Sequence, residues 1–299
     1  MRSWLSRVTI VTLVLLLVGC SSAQFGYSTL PWLLTWRFER DLGLDEDQRW
    51  LVKERIDALQ RWHRASELPR YAEFLRRVAA EPAPVSETTV AGWRAELARA
   101  WEPIARRAAP DLAALALTLR PEQIDRLARR FAERNDELRR EWGLPANGLS
   151  PVAASRVAKG VDPLVEARIE RFRERAEFFM GSLDEKQRAA LARLAAAHPA
   201  SEADWMAERE ARQRKVLALL RGIARDRPAP EVAEARVREA LLAAWEGGDP
   251  ATADRLAEAA SATDRIAATL LNGASPGQRA RVADRLLGWA QDFAVIAGR

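Results

Sequence analysis

The 299-residue chain has one cysteine, Cys20, so it can form no internal disulfide and packing alone must hold its fold. Tyrosine and histidine occur only twice each, and the two histidines, His63 and His198, leave no recognisable metal-ligand spacing, so no metal is expected. Lysine is also scarce: Lys53, Lys159, Lys186 and Lys215 are the only four among 47 basic residues. Runs of alternating β-branched and aromatic residues are missing after the first twenty positions, which removes the signal for strands. There is no phosphate-cradling glycine loop and no Gly-x-Ser-x-Gly elbow. The formal charge is +5, but acids and bases interleave, as in Glu170-Arg171-Phe172-Arg173-Glu174-Arg175. That is the pattern of solvated helix faces, and no nucleic-acid partner is expected.

What is present is alanine, leucine, arginine and glutamate, all strong helix formers. They predict an all-α protein, a multi-helix bundle of about ten helices arranged as one body or as two lobes. Of eleven tryptophans, the ten that follow position 20 are available to fill gaps between helices.

The N-terminus carries a separate message. Arg2 and Arg7 precede an apolar stretch from Val8, no acid occurs before Glu39, and the stretch closes on Leu17-Val18-Gly19-Cys20. A short basic start, an apolar core too short to span a bilayer and then small residues make an export signal. The last four residues resemble the lipobox of bacterial lipoproteins. That resemblance implies cleavage after residue 19, a covalent lipid on Cys20 as the only attached group, and no other cofactor. Several acyl chains on one residue hold firmly to a membrane. Ser21 after the cysteine, by the sorting rule of enteric lipoproteins, implies the outer membrane, facing the periplasm, rather than the inner one.

The expected organisation is a signal peptide over 1–19, a lipidated polar tether over 20–29, an N-terminal helical half over 30–142, a linker or hinge over 143–160 and a C-terminal helical half over 161–299. A first helix opens at Leu30-Pro31-Trp32-Leu33-Leu34-Thr35-Trp36-Arg37-Phe38, close to the membrane, and its apolar residues are expected to pack on the body. Further helices are predicted over 67–80, 86–108, 163–180, 202–225, 230–246 and 250–271.

Four places share one pattern, an apolar residue followed four positions later by glutamine. They are Leu44 with Gln48, Leu119 with Gln123, Leu183 with Gln187, and Ala274 with Gln278. Asp45, Asp184 and Ser275 can cap a helix start while the glutamine three residues later reaches back to the cap. Pro121 and Pro276 suit the first helical position. Each expected half holds two copies, at intervals of 75 and 91 residues.

The motif resembles the Leu-Thr-x-x-Gln signature of the Spy and CpxP family of periplasmic proteins, which are small helical cradles that bind unfolded proteins or sense envelope stress. Here Asp45, Arg120, Asp184 and Ser275 stand in the threonine position, and Ala274 replaces the leucine of the fourth copy. A wider resemblance rests on the lipobox, the 27–36 segment, Trp62-His63-Arg64-Ala65-Ser66-Glu67-Leu68-Pro69-Arg70-Tyr71, Phe179-Met180-Gly181-Ser182-Leu183 and Leu286-Leu287-Gly288-Trp289-Ala290-Gln291-Asp292-Phe293. Those stretches are similar to an uncharacterised family of proteobacterial lipoproteins with glutamine-motif helices.

The densest polar and aromatic cluster is Trp62, His63, Arg64, Glu67 and Tyr71. One helical turn separates His63 from Glu67, so the two are expected to pair and to fix the junction before Pro69; an acid–base or binding role is the alternative. His198, before Pro199, is expected to meet the free carbonyls of its own helix end. The functional expectation is a non-catalytic protein-binding lipoprotein, with a Spy-like chaperone or an accessory subunit of an envelope complex as its two forms and a cell-wall hydrolase as the lesser alternative. Its partners are the membrane, through the lipid, and a periplasmic protein or unfolded clients. Replacing Cys20 with Ser is expected to abolish lipid-dependent electrophoretic mobility and to release the body from the membrane fraction. A Cys20→Ser variant that fractionates like the parent would refute the anchor.

Overall fold

In the computed structural model the described residues are 22–142, 144, 163–199, 202–243 and 250–298. The expected export signal, Cys20 with the residues that resemble a lipobox, and all but residue 144 of the expected 143–160 linker lie outside them. Twelve α-helices account for nearly all of the described chain, and the all-α bundle expected from composition is what it forms. They are α1 (Ser22–Leu42), α2 (Glu46–Ser66), α3 (Leu68–Ala79), α4 (Glu87–Arg99), α5 (Trp101–Thr118) and α6 (Pro121–Glu141). Beyond the linker follow α7 (Pro163–Met180), α8 (Glu185–Ala196), α9 (Glu202–Asp226), α10 (Pro230–Leu242), α11 (Pro250–Asn272) and α12 (Pro276–Ala297).

Two boundaries differ from expectation for physical reasons. The stretch 86–108 is two helices that meet at Ala100. A continuous helix would need an N–H on residue 103 to reach the carbonyl of Arg99, and residue 103 is proline. The first helix starts at Ser22, so residues 22–29 are its first two turns and not part of a tether.

The four glutamine motifs are helix starts, and they meet in pairs. Gln48, Gln187 and Gln278 each accept the backbone N–H of their cap residue, while Asp45, Asp184 and Ser275 accept the N–H of the glutamine. Gln123 makes only the first half of this exchange, accepting the N–H of Arg120, because an arginine side chain has no acceptor to return. The remaining capacity of each amide then goes across the fold. Gln48 Nε2 donates to Gln123 Oε1 at 3.2 Å and Gln123 Nε2 returns a bond to Gln48 Oε1 at 2.7 Å. Gln48 also donates to the carbonyl of Thr118, and Gln123 to that of Gly43, so each glutamine holds the turn that precedes its partner's helix. The second pair repeats this: Gln187 and Gln278 exchange bonds of 2.8 and 3.0 Å, and reach the carbonyls of Gly273 and Ser182.

The apolar residue of each motif packs beside its pair. Leu44 and Leu119 lie in one core cluster with Leu42, Val52, Leu115, Ile124 and Leu127. Leu183 and Ala274 lie in another with Met180, Leu191, Ile266 and Leu270. Gly43 and Gly181 turn the chain after α1 and α7 with φ of 63° and 78°, the left-handed region glycine enters without strain.

The halves 30–142 and 161–299 do not segregate into lobes. α3 packs on α12 and α4 on α11, while in return α9 packs on α6 and α10 on α5. Each half lends its two middle helices to the glutamine-paired helices of the other. Two polar contacts lock the first arm: Asn272 bonds the N–H and carbonyl of Val85 at 2.7 and 2.8 Å, and Asp264 receives a forked bond from Arg94. On the other arm Asn135 donates to Gln213 at 2.7 Å, and the Trp101 indole donates to the carbonyl of Leu241 at 2.7 Å. Ala109, Ala113 and Ala116 of α5 let α10 approach closely through Ala233 and Val237.

Gln123→Ala removes a cap and strands the buried amide of Gln48, for an expected loss of about 2–4 kcal/mol. The double variant Gln48→Ala/Gln123→Ala is expected to cost less than the sum of the two single variants, as measured by urea unfolding. Strict additivity would show that the two amides do not act as a unit.

Candidate functional site

The expected cluster of Trp62, His63, Arg64, Glu67 and Tyr71 straddles the junction of α2 and α3, where Glu67 both ends one helix and begins the next. His63 does not pair with Glu67 there. Its Nδ1 lies 3.1 Å from the Tyr27 hydroxyl of α1, and that hydroxyl is 3.2 Å from the carbonyl of Gln60. Glu67, buried at the start of α3, faces Arg70 at 3.5 Å instead. The reason lies in α1. Pro31 has no N–H to offer the carbonyl of Tyr27, which is four residues earlier. Gln60 Nε2 fills that vacancy at 2.6 Å, and this draws Tyr27 over His63. A histidine partner 36 positions away leaves no mark in local spacing.

The aromatic contacts continue outward. His63 packs edge-on against Tyr71 with centroids 5.5 Å apart, and Tyr71 against Phe293 of α12 at 6.4 Å. Burial holds the His63 imidazolium down, so its pKa lies below the usual histidine value. Burial raises the pKa of Tyr27 and Tyr71 alike, with Glu67 adding to the effect at Tyr71. These groups therefore stay neutral near pH 7, and Tyr27 and His63 satisfy each other.

Beyond Tyr71 opens a groove of ≈ 360 Å³. α3 supplies Phe74 and Leu75, α4 supplies Leu97, α5 supplies Trp101 and Ile104, and α12 supplies Trp289 and Phe293. Its lining carries no charged side chain. Leu97 is 56 % exposed on its wall. At the far side Trp289 stacks on Phe178, and the Arg285 guanidinium sits 4.0 Å over the Phe178 ring. The groove exists because α3 lies on α12 across the exchange of arms. The sequence places Leu286, Trp289 and Phe293 on one apolar stripe of the helix after Gln278, but nothing local could bring Trp289 to Leu75.

His198 is buried and lines no part of this groove. It meets the carbonyl of Ala259 at 3.0 Å and the Thr263 hydroxyl at 3.2 Å on α11, partners that its place near a helix end did not point to. The paired glutamines Gln48, Gln123, Gln187 and Gln278 form the framework and line no part of the groove. Among the described residues no group of three or more His, Cys, Asp or Glu is placed to hold a metal, and no helix is long and apolar enough to cross a membrane.

A model described as a family of unknown function, DUF6279, matches residues 40–242. The chain belongs to the DUF6279 family. The match to DUF6279 runs from the end of α1 through α10, covering the first glutamine pair and both exchanged arms. No curated protein and no solved structure matches the chain.

His63 gives the site a pH signature. With its folded pKa depressed below the unfolded value of about 6.5, its contribution is complete above that pH and is lost as pH falls toward the folded value. Thermal midpoints are expected to hold between pH 8 and 7 and to fall toward pH 5.5, and His63→Gln is expected to flatten that fall. Carboxylates held low by arginine neighbours, such as Asp45 and Glu137, lose their contribution only at more acidic pH. An unchanged slope in His63→Gln would remove His63 from this role.

Proposed function

We propose that this DUF6279 chain is a cell-envelope lipoprotein, anchored through Cys20, that acts as a non-catalytic protein-binding module. The groove between α3, α4, α5 and α12 holds an apolar segment of a periplasmic partner. The observation that carries this reading is the groove's lining: five aromatic side chains with leucine and isoleucine between them, and no charge. Such a surface recovers free energy only by excluding water from apolar side chains, and aromatic anchors of this kind dominate binding energy at protein interfaces. Its volume suits a few side chains of a docked helix or strand.

The neighbouring polar groups support binding over catalysis. Tyr27, His63 and Gln60 spend their hydrogen bonds on one another, and Glu67 faces Arg70. A compact groove of this kind favours one dedicated partner, as in an accessory subunit of an envelope assembly, over the broad mixed cradle of a Spy-like chaperone.

A photocrosslinker at position 75 of the groove, in living cells, tests this. It is expected to capture one envelope protein in constant ratio, with the attachment mapped to an apolar segment. Leu97→Asp, on an exposed wall, is expected to reduce that capture by about tenfold or more while shifting stability by under about 0.5 kcal/mol. Many unrelated proteins, caught more strongly under folding stress, would favour the chaperone instead. Capture unaffected by Leu97→Asp would remove the groove from the binding surface.

A further inference from the structure

α1 is apolar on two faces, and only one of them is used by the body. Phe38 and Leu42 pack into the first core, Tyr27 reaches His63, and Gln24 donates to Asp292 of α12 at 3.0 Å. On the opposite side Phe25, Thr29, Trp32, Leu33 and Trp36 recur at helical spacing along one line. Phe25 is 67 % exposed and Trp32 69 %, with Leu33 and Trp36 also exposed. The expectation that the apolar residues of this segment pack on the body therefore holds for one face alone. Trp32 and Trp36 stack on each other at 6.4 Å, and the Arg40 guanidinium lies 4.6 Å over Trp36 at the far end of the line.

A stripe of this size on a soluble body marks an interaction surface. Its position decides the occupant. Cys20 stands two residues before Ser22, so if its thiol carries lipid the start of α1 lies within about 7 Å of the acylated residue. Standing on end, the helix would lift Trp36, fourteen residues on, about 21 Å away from the anchor. Lying flat, it brings Phe25, Trp32, Leu33 and Trp36 to the same depth, where indole rings settle among lipid headgroups.

We propose that α1 is an interfacial helix that lies along the bilayer surface beside the lipidated Cys20, holding the body in one orientation against the membrane. The proposal rests on the lipid-anchor reading above. It also places the binding groove close to the membrane, because Gln24 of α1 is bonded to Asp292, the neighbour of the groove residue Phe293.

The test uses the intact lipoprotein in vesicles of phosphatidylethanolamine and phosphatidylglycerol at three to one. A fluorophore sensitive to polarity is attached at Leu33→Cys and, separately, at Val232→Cys, an exposed site on α10. The label at 33 is expected to shift to the blue and to be quenched by spin-labelled lipids, and the label at 232 to do neither. If both labels behave as in water while the protein stays on the vesicles, the interfacial helix is overturned and the anchor stands. If the protein does not float with vesicles and its N-terminal peptide lacks the mass of acyl chains, the anchor fails and the proposal falls with it. A crosslinked dimer through position 33 without lipid quenching would assign the stripe to a second copy, and would overturn the bilayer.

Discussion

Each glutamine side chain in the two amide pairs is asked to do three things at once: cap its own helix, bond its partner and hold the turn before its partner's helix. An amide has two donors and two acceptor positions, so a single side chain can meet all three demands only in one geometry. That geometry joins two helix–turn–helix units at their turns and leaves no freedom in how α1–α2 meets α5–α6, or α7–α8 meets α11–α12. Gln48 and Gln123 are buried, at 4 and 5 % exposure, so the bonds form where water cannot replace them. The leucines four residues earlier seal the site, which is why the motif couples an apolar residue to a glutamine at that distance.

The exchange of arms follows from what the pairs leave open. Within each half the two hairpins bury one face against each other, and the outer faces of α5, α6, α11 and α12 still need cover. The helices between the motifs supply it, each pair going to the opposite half. Contacts this distant in sequence demand nearly the whole chain before any of them is complete. A groove walled by α3, α4, α5 and α12 is a by-product of that crossing: beside the contact of α3 with α12, Trp289, Phe293 and Leu97 stay only partly covered. The proposed binding surface is thus built at the seam between halves and belongs to neither.

Much of the local structure was legible because its causes are local. The bounds of 163–180 coincide with α7, since Pro163 opens that helix and Gly181 closes it. The capping role of the glutamines could be read from a spacing of three residues. Pro103 carried the signal for the break at Ala100, but the helical period continues across it and masks the break. His63 was misassigned to Glu67 because spacing along one helix is visible in a sequence, whereas the Pro31 vacancy that brings Tyr27 to it acts between helices.

By itself, the sequence determined the helical class, most helix ends and the two-plus-two distribution of the glutamine motifs, and it carries the pattern from which an export signal and a lipid site at Cys20 are proposed. All of these depend on interactions within about four residues or on composition. The tertiary structure decided that the glutamines pair, that the halves exchange arms, that His63 answers to Tyr27, and which apolar face of α1 remains outside. An amphipathic period gives the direction of an apolar face but not its partner, and α1 carries two such faces. Only packing could choose between them.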